Sequence, residues 1–234
     1  MSLDIKVHDA QTAILRELLF HPHAGFAQMQ KPTGLTSDHF NFHIARLVEL
    51  GLVHKITRGQ YALTHKGKEY ANKMDTDNNT IERQPKVAVL LILEREDGKV
   101  LAQQRLKQPY YGYWGRATGK IRWGETILQA AERELMEETG LTADLEFKAI
   151  YHKMDYNQES GDMLEDKLFF VMHGVNPRGE LIEEFEGGRN AWMSQDEVKA
   201  QDKVFDGIDA SLHMARGDGP ILVEKAHHYL PADY

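Results

Sequence analysis

Three glutamates, Glu134, Glu137 and Glu138, are spaced to fall within an arc of about 100° on one face of an α-helix. Carboxylates gathered on one stripe repel one another, and a divalent cation removes that repulsion. Hard oxygen donors favour Mg²⁺, with Mn²⁺ as a substitute. The chemistry such a stripe supports is therefore the gripping of a hard dication. The other reading is a solvated acidic helix face, which is what most glutamate-rich helices are. Other familiar chemistries are closed to this chain. It has no cysteine among its 234 residues, which excludes disulfides, thiol nucleophiles, iron–sulfur clusters and Cys-ligated zinc.

The elements that must position the glutamates are legible around them. Thr126 with Gln129 forms a capping-box signature, and Gly140 fits a C-terminal stop, so a helix is expected over Thr126–Thr139. Leu128, Ala131 and Leu135 make the adjacent stripe that docks on a sheet. The apolar run Val87–Leu93 reads as a buried strand, with Val100–Arg105 as its neighbour beyond the turn Glu96–Gly98. Further strands are expected at Leu145–Asp155, Leu168–His173 and Ala191–Met193, and Gln195–Met214 reads as largely helical.

Composition is globular, with 41% hydrophobic and 27% charged residues, which excludes collagen-like and mostly disordered classes. The run Val87–Leu93 is too short to span a bilayer, and the residues around Asp4, Lys6 and His8 offer no signal-peptide core. A soluble, cytoplasmic protein with no membrane partner is expected. The net charge of −8 is uneven, about +1 over residues 1–80 and −9 over residues 81–234. An acidic second part does not attract polyanions in bulk, so phosphate chemistry there needs a mediating cation. The polar stretch Met74–Pro85 reads as a linker, giving domains over 1–75 and 86–234 joined by 76–85.

Gly119, five residues, Glu125, seven residues and then Arg133-Glu-Leu-Met-Glu-Glu-Thr-Gly-Leu141 match the Nudix box at every specified position. The C-terminal part thus resembles a Nudix hydrolase. The strand Val100–Arg105 and the Trp114-Gly115 approach agree with that family. The resemblance implies an α/β/α sandwich with a mixed sheet, within an overall α+β protein. It implies hydrolysis of a nucleoside diphosphate linked to another group, in which Mg²⁺ neutralises diphosphate oxygens while a positioned water attacks phosphorus. By the same likeness Glu134 and Glu138 are the central catalytic and metal-binding residues, joined by Glu137 and the carbonyl of Gly119. Glu125 and Arg133 are an orienting ion pair, and Gly140 is structural. The general base is a box glutamate or an acid such as Glu184 on the later loop Glu183–Glu186; a plain solvated turn is the other reading of that loop. The chain departs from the family's Pro-Gly-Gly with Ala117-Thr118-Gly119. Arg116, Lys120 and Arg122 bind phosphates there or are surface charges, and Arg105 and Trp114 are further candidates for substrate contact. Tyr110, Tyr111, Tyr113 and Trp114 stack on a base or pack in the core. ADP-ribose, dinucleotide cofactors, nucleotide sugars and oxidised nucleotides all suit the box, whereas the isopentenyl diphosphate isomerase branch uses a cysteine that is missing here.

Before Met74 the pattern is mainly helical: Ala10–Phe20, a helix capped at Thr36 or Ser37 running to Leu50, a hairpin around Arg58-Gly59 within Leu52–Thr64, and Lys66–Met74. The segments His43–Val53 and Tyr61–Gly67 resemble the recognition-helix and wing segments of winged helix-turn-helix regulators. That resemblance implies DNA contact through Ser37, Asn41, Arg46 and Arg58. Against it, the face opposite Phe40, Ile44 and Leu47 carries Asp38, Phe42 and Glu49, poor material for reading base edges. The competing reading has Phe42 packing on the Nudix domain or on a second copy in a homodimer. His21, His23, His39 and His43 lack the acidic or cysteine partners a metal site needs. Two functions follow: a Nudix hydrolase with an accessory domain, or a nucleotide-sensing transcriptional regulator.

Overall fold

The computed structural model describes residues 7–77, 80–81 and 83–234. Asp4 and Lys6, and Asn78, Asn79 and Glu82 of the segment read as a linker, lie outside them. The chain divides into two compact units, residues 1–83 and 84–234.

In the first unit, helices Asp9–Phe20 and Ser37–Glu49 bury Ile14, Leu15 and Leu18 against Phe40, Ile44 and Leu47. Thr36 holds the N-cap position of the second of these without a side-chain bond. The hairpin Val53–Thr57 and Gln60–Leu63 gains a third strand, Ala24–Gly25, and a short helix Phe26–Gln30 follows it. Neither of these last two elements was anticipated. Helix His65–Ala71 begins at Thr64, whose hydroxyl accepts from the Gly67 N–H at 2.9 Å. The segment read as a linker contains a strand pair, Met74–Asp75 with Thr80–Ile81.

The second unit is built on Lys86–Leu93. Ala88, Leu90 and Ile92 face one core and Val89, Leu91 and Leu93 the other. Burial on both faces is why this strand is continuously apolar. On one side it pairs parallel with Met163–Gly179, and on the other antiparallel with Ala117–Lys120. Leu141–Asn157 and Leu222–Tyr229 complete this five-stranded mixed sheet. Helix Ile127–Thr139 covers one face through Ala130, Ala131 and Leu135, while Ile208–Arg216 covers the other through Leu212 and Ala215.

Three expectations are corrected and one strand is added. Val100–Arg105 is not the sheet neighbour of Lys86–Leu93, both of whose edges are taken. It joins a second sheet with Gly188–Met193 and Trp114–Gly115, linked to the first by a bridge from Glu94 to Val100 and by the packing of Val100, Leu101 and Ala102 into its cores. Leu128 is exposed, and Ala130 takes its place on the docking stripe. The helical segment after Gln195 is two helices, Gln195–Lys199 and Ile208–Arg216. The closing strand Leu222–Tyr229 was not foreseen, because only His227 and Tyr229 along it are buried.

Candidate active site

The acidic helix is fixed at both ends by local chemistry. Thr126 accepts from the Gln129 N–H at 3.2 Å, and Gln129 returns a bond to the Thr126 N–H at 2.9 Å. Gly140 ends the helix at φ 70°, where a Cβ would lie 2.6 Å from the Glu180 carbonyl oxygen.

Arg133 is the hub of the site. Its Nε and Nη2 meet the two oxygens of Glu125 at 2.6 and 2.8 Å, and Nη2 also donates to the Lys120 carbonyl at 3.0 Å. Its Nη1 reaches Glu134 at 2.6 Å and Glu137 at 3.1 Å. The guanidinium thus ties the loop before the helix to the helix itself. Its hydrogen bonds hold the Glu125 carboxyl down to about 2, helped by the Arg122 N–H, while Glu125 in turn raises the Arg133 pKa. Glu138 points elsewhere, accepting from Gln103 at 3.0 Å. Burial pushes its pKa up, with the Gln103 bond opposing and Glu134 adding. Asn190 braces this end, bonding the carbonyl of Glu138 and that of Ile182 at 2.8 Å each.

The three carboxylates therefore do not converge. Among the described residues no three acidic or histidine side chains close on one metal position. The donor set still suits a hard dication in kind: carboxylate oxygens plus a strand carbonyl, with Glu134 seated against a bare glycine. A Cβ on Gly119 would fall 1.9 Å from Glu134 Cγ and 2.6 Å from its Oε2, so only glycine lets this carboxylate lie against the strand.

Glu138 also lines a cavity of about 110 Å³. Among the described residues, five cationic side chains, Arg105, Lys107, Arg116, Lys153 and Lys167, share its wall with two carboxylates, Glu138 and Asp206. Tyr151, Phe169, Phe185 and Phe205 supply apolar and aromatic surface. Lys153 pairs with buried Asp155, and Lys167 lies 3.7 Å from Glu165.

A profile of the NUDIX domain matches residues 84–212. The chain belongs to the Nudix family. It is 34% identical over 108 residues to the oxidized purine nucleoside triphosphate hydrolase of Danio rerio, covering 46% of this chain and 66% of that one. It is 36% identical over 85 residues to the ADP-ribose pyrophosphatase of Methanocaldococcus jannaschii, covering 35% of this chain and 50% of that one. The chain thus spans half to two thirds of these relatives. The MutT protein of Bacillus halodurans superposes with a TM-score of 0.50 at 25% identity, over 64% of this chain and 93% of that one.

Within the Nudix unit, Arg105 and Arg116 both reach the cavity, although Arg105 already donates to the carbonyls of Pro109 and Gln108. Trp114 does not reach it. Its indole is buried with Ala88, Leu90 and Val198 in the core. Tyr110 and Tyr113 are buried as well, although Tyr110 also lines the cavity, and Tyr111 is exposed. Glu184 is exposed and 3.4 Å from Arg189, while its neighbour Phe185 takes the cavity wall. Gln103, Asn190, Lys107, Lys153 and Lys167 escaped the sequence reading. A signal existed for one: Tyr151, Lys153 and Asp155 occupy successive inward positions of one strand, where charges are unusual. In the first unit Ser37, Asn41, Arg46 and Arg58 are all exposed, Arg46 being paired with Glu49 at 2.6 Å. Phe42 stands on the same helix at 69% exposure.

Proposed function

We propose that the Nudix unit hydrolyses a nucleoside diphosphate linked to another group, with a divalent cation, Mg²⁺ or Mn²⁺, as cofactor. The observation that carries this reading is the seating of Glu134 against the bare Cα of Gly119, beside a cavity rich in cations. Glu134, Glu137, Glu138 and the Gly119 carbonyl would hold the cation. When bound, it supplies neutralisation of diphosphate charge and acidifies a coordinated water. Arg133 donates to Glu134 and Glu137 and orients the loop through Glu125. Arg105 and Lys107, the cations that act on Glu138, bind and orient diphosphate oxygens. Gln103 and Asn190 fix the Glu138 carboxylate at the cavity wall. In the reaction the oxygen of water bonds to one phosphorus, the bridging P–O bond breaks with its electron pair staying on the departing phosphate oxygen, and the two protons of water pass to the two phosphate products or to solvent. Substrates of the relatives, ADP-ribose and oxidised purine nucleotides, are the first candidates.

We read residues 1–75 as a winged helix-turn-helix domain, on the order of helices, short strand and hairpin. The test is a Mg²⁺-supported hydrolysis screen over ADP-ribose, dinucleotides, nucleotide sugars and oxidised nucleotides, run beside Glu138→Gln. Turnover that persists in the variant overturns the mechanism. No turnover by wild type, with salt-sensitive binding to one DNA sequence, makes the protein a nucleotide-sensing regulator instead.

A further inference from the structure

Arg116 is only 7% exposed, and it lines the same cavity as Glu138. Its Nη2 donates to Gln195 Oε1 at 2.6 Å. Its Nε and Nη1 are buried with no hydrogen-bond partner among the described residues. A guanidinium stays protonated at neutral pH, so this is a buried charge with two idle donors.

The other buried cations of the cavity differ in kind. Lys153 has Asp155 and Lys167 has Glu165. The carboxylates that act on Arg116 from a distance, Glu94 and Asp209, are engaged by others. Glu94 binds Arg216 at 2.7 Å and His173 at 3.0 Å, and Asp209 accepts from Gln195 at 2.7 Å. Burial draws the Arg116 pKa down to about 10, with Glu94 and Asp209 opposing it. A buried cation lacking a counter-ion is costly, and each free N–H donor can bond an oxygen of a phosphate or carboxylate.

The charges acting on Arg116 are also not those acting on Glu138. Glu138 feels Glu134, Lys107 and Arg105, whereas Arg116 feels Glu94, Asp209 and Arg216. The two side chains also bond different partners, Arg116 to Gln195 and Glu138 to Gln103, and the cavity they share far exceeds the ~10–15 Å³ that one water needs.

We propose that Arg116 binds a second anionic group of the substrate, a phosphomonoester or carboxylate remote from the diphosphate that is cleaved. This rests on the hydrolase reading for the word substrate, but the anion site itself does not. The substrate class is then a nucleoside diphosphate derivative with an added charge on its far half.

Matched pairs separate the two sources of charge: NADPH against NADH for a phosphate, UDP-glucuronic acid against UDP-glucose for a carboxylate. Wild type is expected to favour the charged member of one pair in kcat/KM by about tenfold to a hundredfold, the range of a charge-assisted bond. Arg116→Met is expected to drop that member to the level of its uncharged twin, and Arg116→Lys to restore part of the preference. Equal treatment of both pairs by wild type, or a preference that survives in Arg116→Met, overturns the proposal. Inorganic phosphate gives a readout that needs no turnover. It is expected to raise the unfolding midpoint of wild type but not of Arg116→Met, and no rise in wild type overturns the anion site even if hydrolysis is found. Absence of hydrolysis with the phosphate effect intact counts against the enzyme reading alone. Folding of the variant is not in danger, since Met removes an unpaired buried charge; without ligand its midpoint is expected at or above that of wild type.

Discussion

Gly119→Ala is the sharpest test of the metal-site geometry. The added methyl would sit 1.9 Å from Glu134 Cγ and 2.0 Å from Cδ. Carbon atoms pack at about 3.5 Å or more, so the Glu134 side chain must retreat by roughly 1.6 Å. The backbone at position 119 is ordinary strand, hence alanine itself is not strained there. Overpacking of this kind costs about 1–3 kcal/mol of stability. Chemistry suffers more, because a misplacement of about 1 Å at a reacting centre costs on the order of a hundredfold. The expected result is a kcat/KM lower by about 10² with a weaker response to Mg²⁺, in a protein still folded at the assay temperature. Gly219→Ala serves as the control, since nothing lies within 4 Å of its would-be Cβ. The assay is phosphate or nucleotide release over graded Mg²⁺, with circular dichroism to confirm folding. A variant within threefold of wild type, with unchanged Mg²⁺ dependence, refutes the claim that Glu134 works from its seat on Gly119.

Three further outcomes are expected. Leu135→Ala, at a position 1% exposed between helix and sheet, should lose about 2–5 kcal/mol in denaturant unfolding. Arg133→Gln should let the Glu125 carboxyl climb from about 2 toward its ordinary 4.5 in an NMR titration, stopping short because the Arg122 N–H still donates to it. Arg216→Ala should lose about 1 kcal/mol at neutral pH, a figure held down because half of Arg216 faces solvent. The pH dependence has a definite sign. Glu94 titrates below its ordinary range chiefly because Arg216 donates to it, so its contribution is full above about pH 4.5 and is lost as pH falls through its folded-state value. The gap between wild type and Arg216→Ala should therefore close in acid; a gap constant from pH 7 to pH 3 refutes the assignment.

What the sequence revealed of this site is what local chemistry controls. Thr126, Gln129 and Gly140 bound the helix through contacts within a few residues, and Glu134, Glu137 and Glu138 share a face by helical period alone. Partner choice between strands is not local. Nothing in Val100–Arg105 says that Gly188–Met193, some 85 residues later, will claim it before Lys86–Leu93 does. The strand Leu222–Tyr229 hides for a related reason: it is an edge strand whose Glu224, Lys225 and His228 face water. Side-chain type also misled at the cavity. Trp114 looks like a ligand platform and is core, while Arg116 looks like surface charge and is among the most buried charged groups. Gln103 and Asn190 carry no signature at all, since they act only because two distant strands bring them to Glu138.

The electrostatics of the Nudix unit then form a single argument. Its sequence carries a charge of about −9, yet one cavity gathers five cationic side chains against two acids. A field of that sign disfavours long polyanions at the surface, and it is screened beyond about 8 Å at physiological ionic strength. Attraction for a small anionic ligand therefore comes from groups inside the cavity, where screening is weak and burial strengthens each bond. Three of those cations are held by protein: Lys153 and Lys167 lie against buried carboxylates, and Arg105 against loop carbonyls. Arg116 has a single glutamine oxygen. Lys107 acts on Glu138 at the diphosphate side of the proposed reaction, so on the proposal above it is Arg116 that distinguishes the far half of the ligand.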